Sequence, residues 1–575
     1  MSLAAGRAAI LCLALLGLAA CGKTPSPAVP VAAPLSRWAA QRDAYIEATL
    51  AEDPVLAIAL GRHEYDGRLT DYSQPALHHR LARLHAARAQ FSALPVEALS
   101  PAERFERDYL VMEIDANLFW LEIAEQPVRD PSFYADNLDP APYLERAYAP
   151  LPVRLRGYID YLQAVPMALR TARDNLRLPL AASLLEHAIA TFNGYAAFYG
   201  DGAPAVFEAV ADPALHAELD AATRQAIAAT RQFAQYLSQQ RPHATQDFAL
   251  GAQRFAQMLR MTEGVTTPLP QLKAVGEADL ARNLAALKAA CALYAPGATN
   301  AACMAKARDH KLAGGAVEAA RAQVESLRRF LQDHDIVTLP AMDAVRVVES
   351  PPYARDFAAA LSSPGPFEKQ LPAYYYISPP DPKWSRKEQR DYVPGAASLL
   401  FTSVHEVWPG HFLQSQIARR VASPVGRLFN SYAFVEGWAH YAEELMLQKG
   451  LWDRSPEAQV GQVTEALLRD VRLLSAIGLH TEGMSLKQSE RLFVTQAYQS
   501  AASARQEAAR GSFDPGYLSY TLGKLMIRKL RTDWCASRGG EAAWKSFHDQ
   551  FLSYGSPPIP LVRRAMLGDD SGDLL

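Results

Sequence analysis

From Val317 to His334 the apolar positions fall at Val317, Ala320, Val324, Leu327, Phe330 and Leu331, three or four residues apart with polar side chains between. That period gathers them on one face of a helix. Similar patterns run through residues 38–60, 104–124, 155–175, 221–239 and 458–477, which predicts a mainly α-helical protein. Strand-like runs are few. The best are residues 345–349 and 374–377, the second followed by Pro379-Pro380, and they predict a small β element ahead of residue 400. Between 378 and 393 the pattern reads as coil, long enough in a compact domain to suggest a function. A helix is expected from about Pro394-Gly395, with Leu399, Leu400, Val404 and Trp408 on its apolar side, and another over about 432–447. No internal repeat is evident.

The N-terminus breaks the helical theme. Arg7 precedes an apolar run from Ala8 to Leu18, too short to span a bilayer comfortably, and Leu18-Ala19-Ala20-Cys21 follows. This resembles a bacterial lipoprotein cleavage box. The expectation is a signal peptide over 1–20 and a lipidated Cys21 that opens a Pro/Ala-rich tether to residue 37, with the folded domain over 38–570. An ordinary signal peptide with an incidental cysteine is the alternative. Gly22, rather than Asp, after the cysteine favours by resemblance the outer membrane, with the protein facing the periplasm. Cys291 and Cys303 flank a Pro-Gly turn, and export makes a disulfide between them expected, leaving Cys535 as a small buried hydrophobe. The 575-residue chain is 49% hydrophobic and 21% charged, as in a soluble globular protein with a large core. Its net charge of −3 gives no electrostatic reason to expect nucleic acid.

Chemistry enters at His405-Glu406-Val407-Trp408-Pro409-Gly410-His411 and, one helix later, at Glu436-Gly437-Trp438-Ala439-His440. A catalytic zinc site takes three protein ligands of nitrogen and oxygen type and leaves a position for water. A glutamate outside the ligand set can then act as base. The histidines are six apart, and on an unbroken helix six residues turn the side chain by about 240° net, away from a shared metal. Pro409 removes an N–H and clashes with the carbonyl of His405, and Gly410 tolerates a bulge. We read Pro409-Gly410 as two extra residues looped out, which brings His411 back. The bland alternative is a helix that ends at Trp408. On the second helix Glu436, His440, Glu443 and Glu444 share a stripe. Glu436 is expected to be buried and functional; a solvated charge is the ordinary alternative for Glu443 and Glu444, and the favoured one for Glu444. His440 is either a further polar group at the metal or solvated.

These segments resemble a bacterial lipoprotein family catalogued as domain of unknown function 885. Its signatures are His-Glu-x-x-Pro-Gly-His followed by Gln, here Gln414, and Glu-Gly-Trp-Ala-x-Tyr-Ala-Glu, here Glu436 to Glu443. Leu60-Gly61-Arg62-His63-Glu64-Tyr65-Asp66-Gly67 and a Tyr-x-x-Gly-Lys ending at Lys524 also match, over roughly residues 40–565. His440 departs from the aliphatic residue expected there. The family is thought to be related to helical zinc peptidases of the neurolysin and angiotensin-converting-enzyme type. The resemblance therefore implies a large two-lobed helical body around a deep channel, with Zn2+ held by His405, His411 and Glu436, Glu406 as base, and a peptide as substrate. By the same relation Tyr520 or Tyr517 would donate to the oxyanion. Tyr375, on a presumed strand edge, and Lys524 with Arg528, one turn apart, are candidate substrate contacts, though core packing and surface ion pairing are the commoner fates of such residues. A metal-dependent amidase on cell-wall peptides and a non-catalytic helical scaffold remain as alternatives.

Overall fold

In a computed structural model, residues 37–341, 344–351, 358–568 and 573–575 are described. The expected signal peptide, Cys21 and most of the tether lie outside them. Among the described residues the protein is mainly helical with one small sheet. The helical periods convert almost directly: the 317–334 pattern is the helix Gly315–Asp333, and the 458–477 pattern is part of Pro456–Thr481. The pattern over 38–60 is two helices, Arg37–Glu52 and Pro54–Ala59. Pro54 lacks the N–H needed to continue the first, while the Asp53 carboxylate accepts from Leu56 N at 3.1 Å and starts the second. Among the described residues no helix is long and apolar enough to cross a membrane.

The core is divided. One apolar cluster lies within residues 58–237, and a second joins the N-terminal helices to Val425, Leu428 and Leu561. The third and largest surrounds the helices that carry residues 405 and 436. Cys291 and Cys303 are bonded to each other, and Cys535 is free and buried.

The sheet has three strands, β1 (Val345–Glu349), β2 (Ala359–Ser362) and β3 (Ala373–Ile377), in the order β1-β3-β2. β3 pairs in parallel with β1 and antiparallel with β2. Two expectations change here. The tyrosine strand is central rather than an edge, and Tyr375 takes the core-packing alternative, fully buried with its hydroxyl 3.3 Å from Ser403 Oγ, so it is not a substrate contact. The edge nearest the candidate site is instead β2. The expected coil over 378–393 contains the helix Arg386–Tyr392, started by Ser385 and Glu388, each side chain bonded to the other residue's backbone N–H.

Candidate metal centre

The helix Ala396–Glu406 stops one residue after His405, and a second, His411–Ala418, starts at the other histidine. Between them the hydrogen bonds lengthen their reach. Gly410 N donates to Val404 O at 3.0 Å and Leu413 N to Val407 O at 3.4 Å. Both span six residues where an α-helix spans four, which is the signature of two residues looped out. His411 thereby returns beside His405, their ring centroids 4.7 Å apart and nearly perpendicular.

Glu436 comes from the helix Tyr432–Gln448, begun by Ser431, whose hydroxyl accepts from Phe434 N. Its Oε2 lies 3.3 Å from His405 Nε2 and 3.4 Å from His411 Nε2. One donor atom from each of the three residues falls within 4.8 Å of the others. The same oxygen is buried and, although the two rings attract it, makes no hydrogen bond of proper geometry to either, which is costly unless something else satisfies it. A divalent cation would. Two imidazoles and a carboxylate are the donor set of a catalytic zinc, so the residues fit the metal.

The surroundings fix this geometry. His405 Nδ1 lies 2.7 Å from Glu443 Oε1, and the Glu443 Oε2 is 3.3 Å from His440 Nδ1. A carboxylate behind a ligating histidine orients the ring and sets its tautomer. Burial raises the Glu443 pKa, but Arg469, 3.4 Å away, and the two histidines outweigh it and hold the carboxyl well below its ordinary range. Burial likewise lowers the His405 pKa, and Glu436 and Glu443 reverse that and lift it to about 9. His440 is wholly buried, and burial with the nearby Lys524 and Arg469 charges outweighs Glu443 and lowers its pKa to about 3. It supports Glu443 and is outside the three-residue cluster. Glu443 and Glu444 are both buried, so the solvated alternative holds for neither. The signal was present, since both sit on the Glu436 stripe, but the stripe points inward because the helix is apolar on its other sides as well. If the cluster holds zinc, Glu443→Gln should weaken that binding by about 10–100-fold with little change in fold, read by competition against a chromophoric chelator. Undiminished affinity would remove Glu443 from the site.

The two glutamate-motif neighbours have structural reasons. Trp438 Nε1 donates to Pro409 O at 2.8 Å, so the second motif pins the loop of the first. Gly437 faces Gly523 on the helix Ser519–Ala536: a Cβ on Gly437 would lie 2.5 Å from Gly523 Cα, and one on Gly523 would lie 2.0 Å from Ala433 O. The helices cross backbone to backbone, and Tyr520 is thereby laid against the site. Its ring stacks on His405 at 6.3 Å between centroids and is flanked by Arg469, Arg472 and Arg510. Burial, then the Glu436 charge, raises its pKa. Gly523→Ala should cost about 1–3 kcal/mol in urea unfolding by forcing these helices apart; an unchanged midpoint would contradict the close crossing.

Glu406 is partly buried, outside the ligand set, and its Oε2 accepts from Leu361 N of β2 at 3.1 Å. The remaining expectations do not converge on the three-residue cluster. Tyr517 is fully buried with its hydroxyl packed toward Gly511. Lys524 is wholly buried and bonded to Asp279 at 2.5 Å, and Arg528 lies 3.7 Å from Asp279 and 3.5 Å from Glu444. Both cations are spent on buried acids, so neither is free to read a substrate carboxylate.

A family model described as "Bacterial protein of unknown function (DUF885)" matches residues 54–566. No curated protein matches. Among solved structures, a "putative lipoprotein of unknown function" from Shewanella oneidensis is 24% identical with a TM-score of 0.75, over 93% of this chain and 100% of that one. A "putative lipoprotein" from Colwellia psychrerythraea is 15% identical with a TM-score of 0.79, over 92% of this chain and 99% of that one. These likenesses show the fold. A "putative oligoendopeptidase F" from Bacillus anthracis has a TM-score of 0.28, too low to carry an argument.

Proposed function

The chain belongs to the DUF885 family of bacterial proteins, and from that premise we propose that it is a zinc-dependent hydrolase of peptide bonds acting on oligopeptides in the cell envelope. The observation that carries this reading is the buried Glu436 Oε2, not hydrogen-bonded, facing two histidines, with Glu406 beside the cluster and not in it. A structural site has no need of such a base. His405, His411 and Glu436 would hold zinc, which when bound lowers the pKa of a water toward about 7 and polarises a carbonyl. Glu406, oriented by Leu361 N–H, takes the water's proton and passes it to the leaving amine. Tyr520, laid against His405, is the residue to which we assign donation to the developing oxyanion.

A peptide is the favoured substrate because of β2. Leu361 N–H points to Glu406, so the side of β2 away from β3 faces the site and can pair with an extended chain. The Leu18-Ala19-Ala20-Cys21 segment and the names of the two similar structures support a lipid-anchored envelope protein, and Gly22 after the cysteine is the reason to propose the outer membrane for it.

The test is elemental analysis of the purified chain together with incubation in a mixture of short synthetic peptides, followed by mass spectrometry. One zinc per chain and chelator-sensitive cleavage are expected. A chain that binds no zinc at micromolar metal ends the reading.

A further inference from the structure

The segment 60–67, distinctive in sequence, follows the helix Pro54–Ala59 as a turn and a single 3-10 turn, His63–Tyr65, and is outside the three-residue cluster. We propose that it is a positioning clasp for Glu406, acting through the connection between β2 and β3. The proposal deepens the hydrolase reading and rests on Glu406 being its base.

The clasp closes on Glu368, a buried residue of that connection. His63 Nε2 lies 3.2 Å from Glu368 Oε1, and Nδ1 lies 3.1 Å from Asp66 Oδ1. Its ring is stacked on Tyr148 at 3.4 Å, and Tyr148 donates its hydroxyl to Asp66 Oδ2 at 2.7 Å. Arg146 Nη1 donates to Glu368 Oε2 at 3.1 Å and to Ala59 O at 3.0 Å. The backbones meet as well. Phe367 N donates to Leu60 O at 3.0 Å. A Cβ on Gly365 would lie 2.3 Å from Leu60 C, and one on Gly61 would lie 2.6 Å from Glu368 Cγ. Glycine is therefore needed on both sides of the seam, and Gly61 also has a positive φ of 95°.

The clasp reaches β2 directly. Ser362, its last residue, donates its hydroxyl to Glu145 Oε2 at 2.6 Å, and Glu145 adjoins Arg146. The residue before it is Leu361, whose N–H holds Glu406. From His63 to Glu406 the linkage is thus a run of charge-assisted bonds and one short strand, each anchored from the N-terminal side. Burial lowers the His63 pKa, and Asp66 and Glu368 reverse this, consistent with an imidazolium donating from both nitrogens. The expected consequence is that β2, an edge strand of four residues, keeps its register only while the clasp is shut.

The experiment uses His63→Phe, which keeps the stacked ring and removes both donors, and Glu368→Gln, each in the full zinc-loaded chain. Hydrogen exchange by mass spectrometry, without substrate, should show the Leu361 segment exchanging at least about tenfold faster while the 396–406 helix and the zinc content are unchanged. With the fastest-cleaved peptide of the mixture, kcat should fall about 10–100-fold while KM moves less than about threefold, as for a misplaced catalytic group. A purely structural role would lower the melting temperature without this split. Unchanged exchange at β2 in both variants overturns the proposal. So does faster exchange with wild-type kcat in a protein whose Glu406→Gln form is inactive, which leaves the hydrolase reading standing.

Discussion

Glu406→Gln should keep its zinc and lose about two to four orders of magnitude in kcat. The amide is the right shape for the place: its oxygen can still accept from Leu361 N–H, 3.1 Å from the present carboxylate, so β2 need not move. Glu406 is outside the set formed by His405, His411 and Glu436, so metal affinity has no reason to fall. What disappears is the proton acceptor. His411→Ala is the contrasting case, expected to lose zinc and activity together because it removes one of three ligands. The pair of variants separates base from ligand by elemental analysis and initial rates on one cleaved peptide. A Glu406→Gln protein that hydrolyses at the wild-type rate would remove the proposed base and most of the mechanism with it.

The helical body was legible because its signal is additive: Val317 to Leu331 repeats one period over several turns, and the structure returns a helix from Gly315 to Asp333. The looped-out Pro409-Gly410 pair was legible for a local reason, since two imidazoles six apart can share a metal only if the helix is interrupted. The misreadings involve partners distant in sequence. The Tyr374–Tyr376 run looks like an exposed edge until β2, Ala-Ala-Leu-Ser, pairs beside it; no strong strand propensity marks those four residues. Lys524 and Arg528 look available until Asp279, about 245 residues earlier, arrives to neutralise them. Glu443 looks like a solvated charge because an acidic side chain on a helix usually is, and its reasons to be buried, the His405 and His440 rings and the Arg469 guanidinium, come largely from other elements. Propensity and period report what a segment prefers alone, whereas these residues take their roles from elements brought in by the fold.

The second large effect is expected at Gly410, where the whole metal geometry passes through one backbone position. A Cβ there would lie 1.8 Å from His405 O and 2.4 Å from Val404 O, contacts no rotamer change can relieve because both atoms are backbone. The loop must open, and opening it breaks the Gly410 N to Val404 O bond and turns His411 away from His405 and Glu436. Gly410→Ala should therefore lose zinc binding at micromolar metal and also lose about 3 kcal/mol or more of stability, at the upper end of overpacking costs. Gly194→Ala is the matched comparison: it lies within the helix Ala182–Asp201, and nothing comes within 4 Å of its added methyl. There alanine's better helix propensity should stabilise by up to about 1 kcal/mol. Calorimetric zinc titration and urea unfolding on the two variants read both effects. The opposite signs matter, because general intolerance of alanine for glycine would move both in the same direction. A Gly410→Ala protein that binds zinc as tightly as the wild type would mean that His411 reaches the metal by some path other than the two-residue loop.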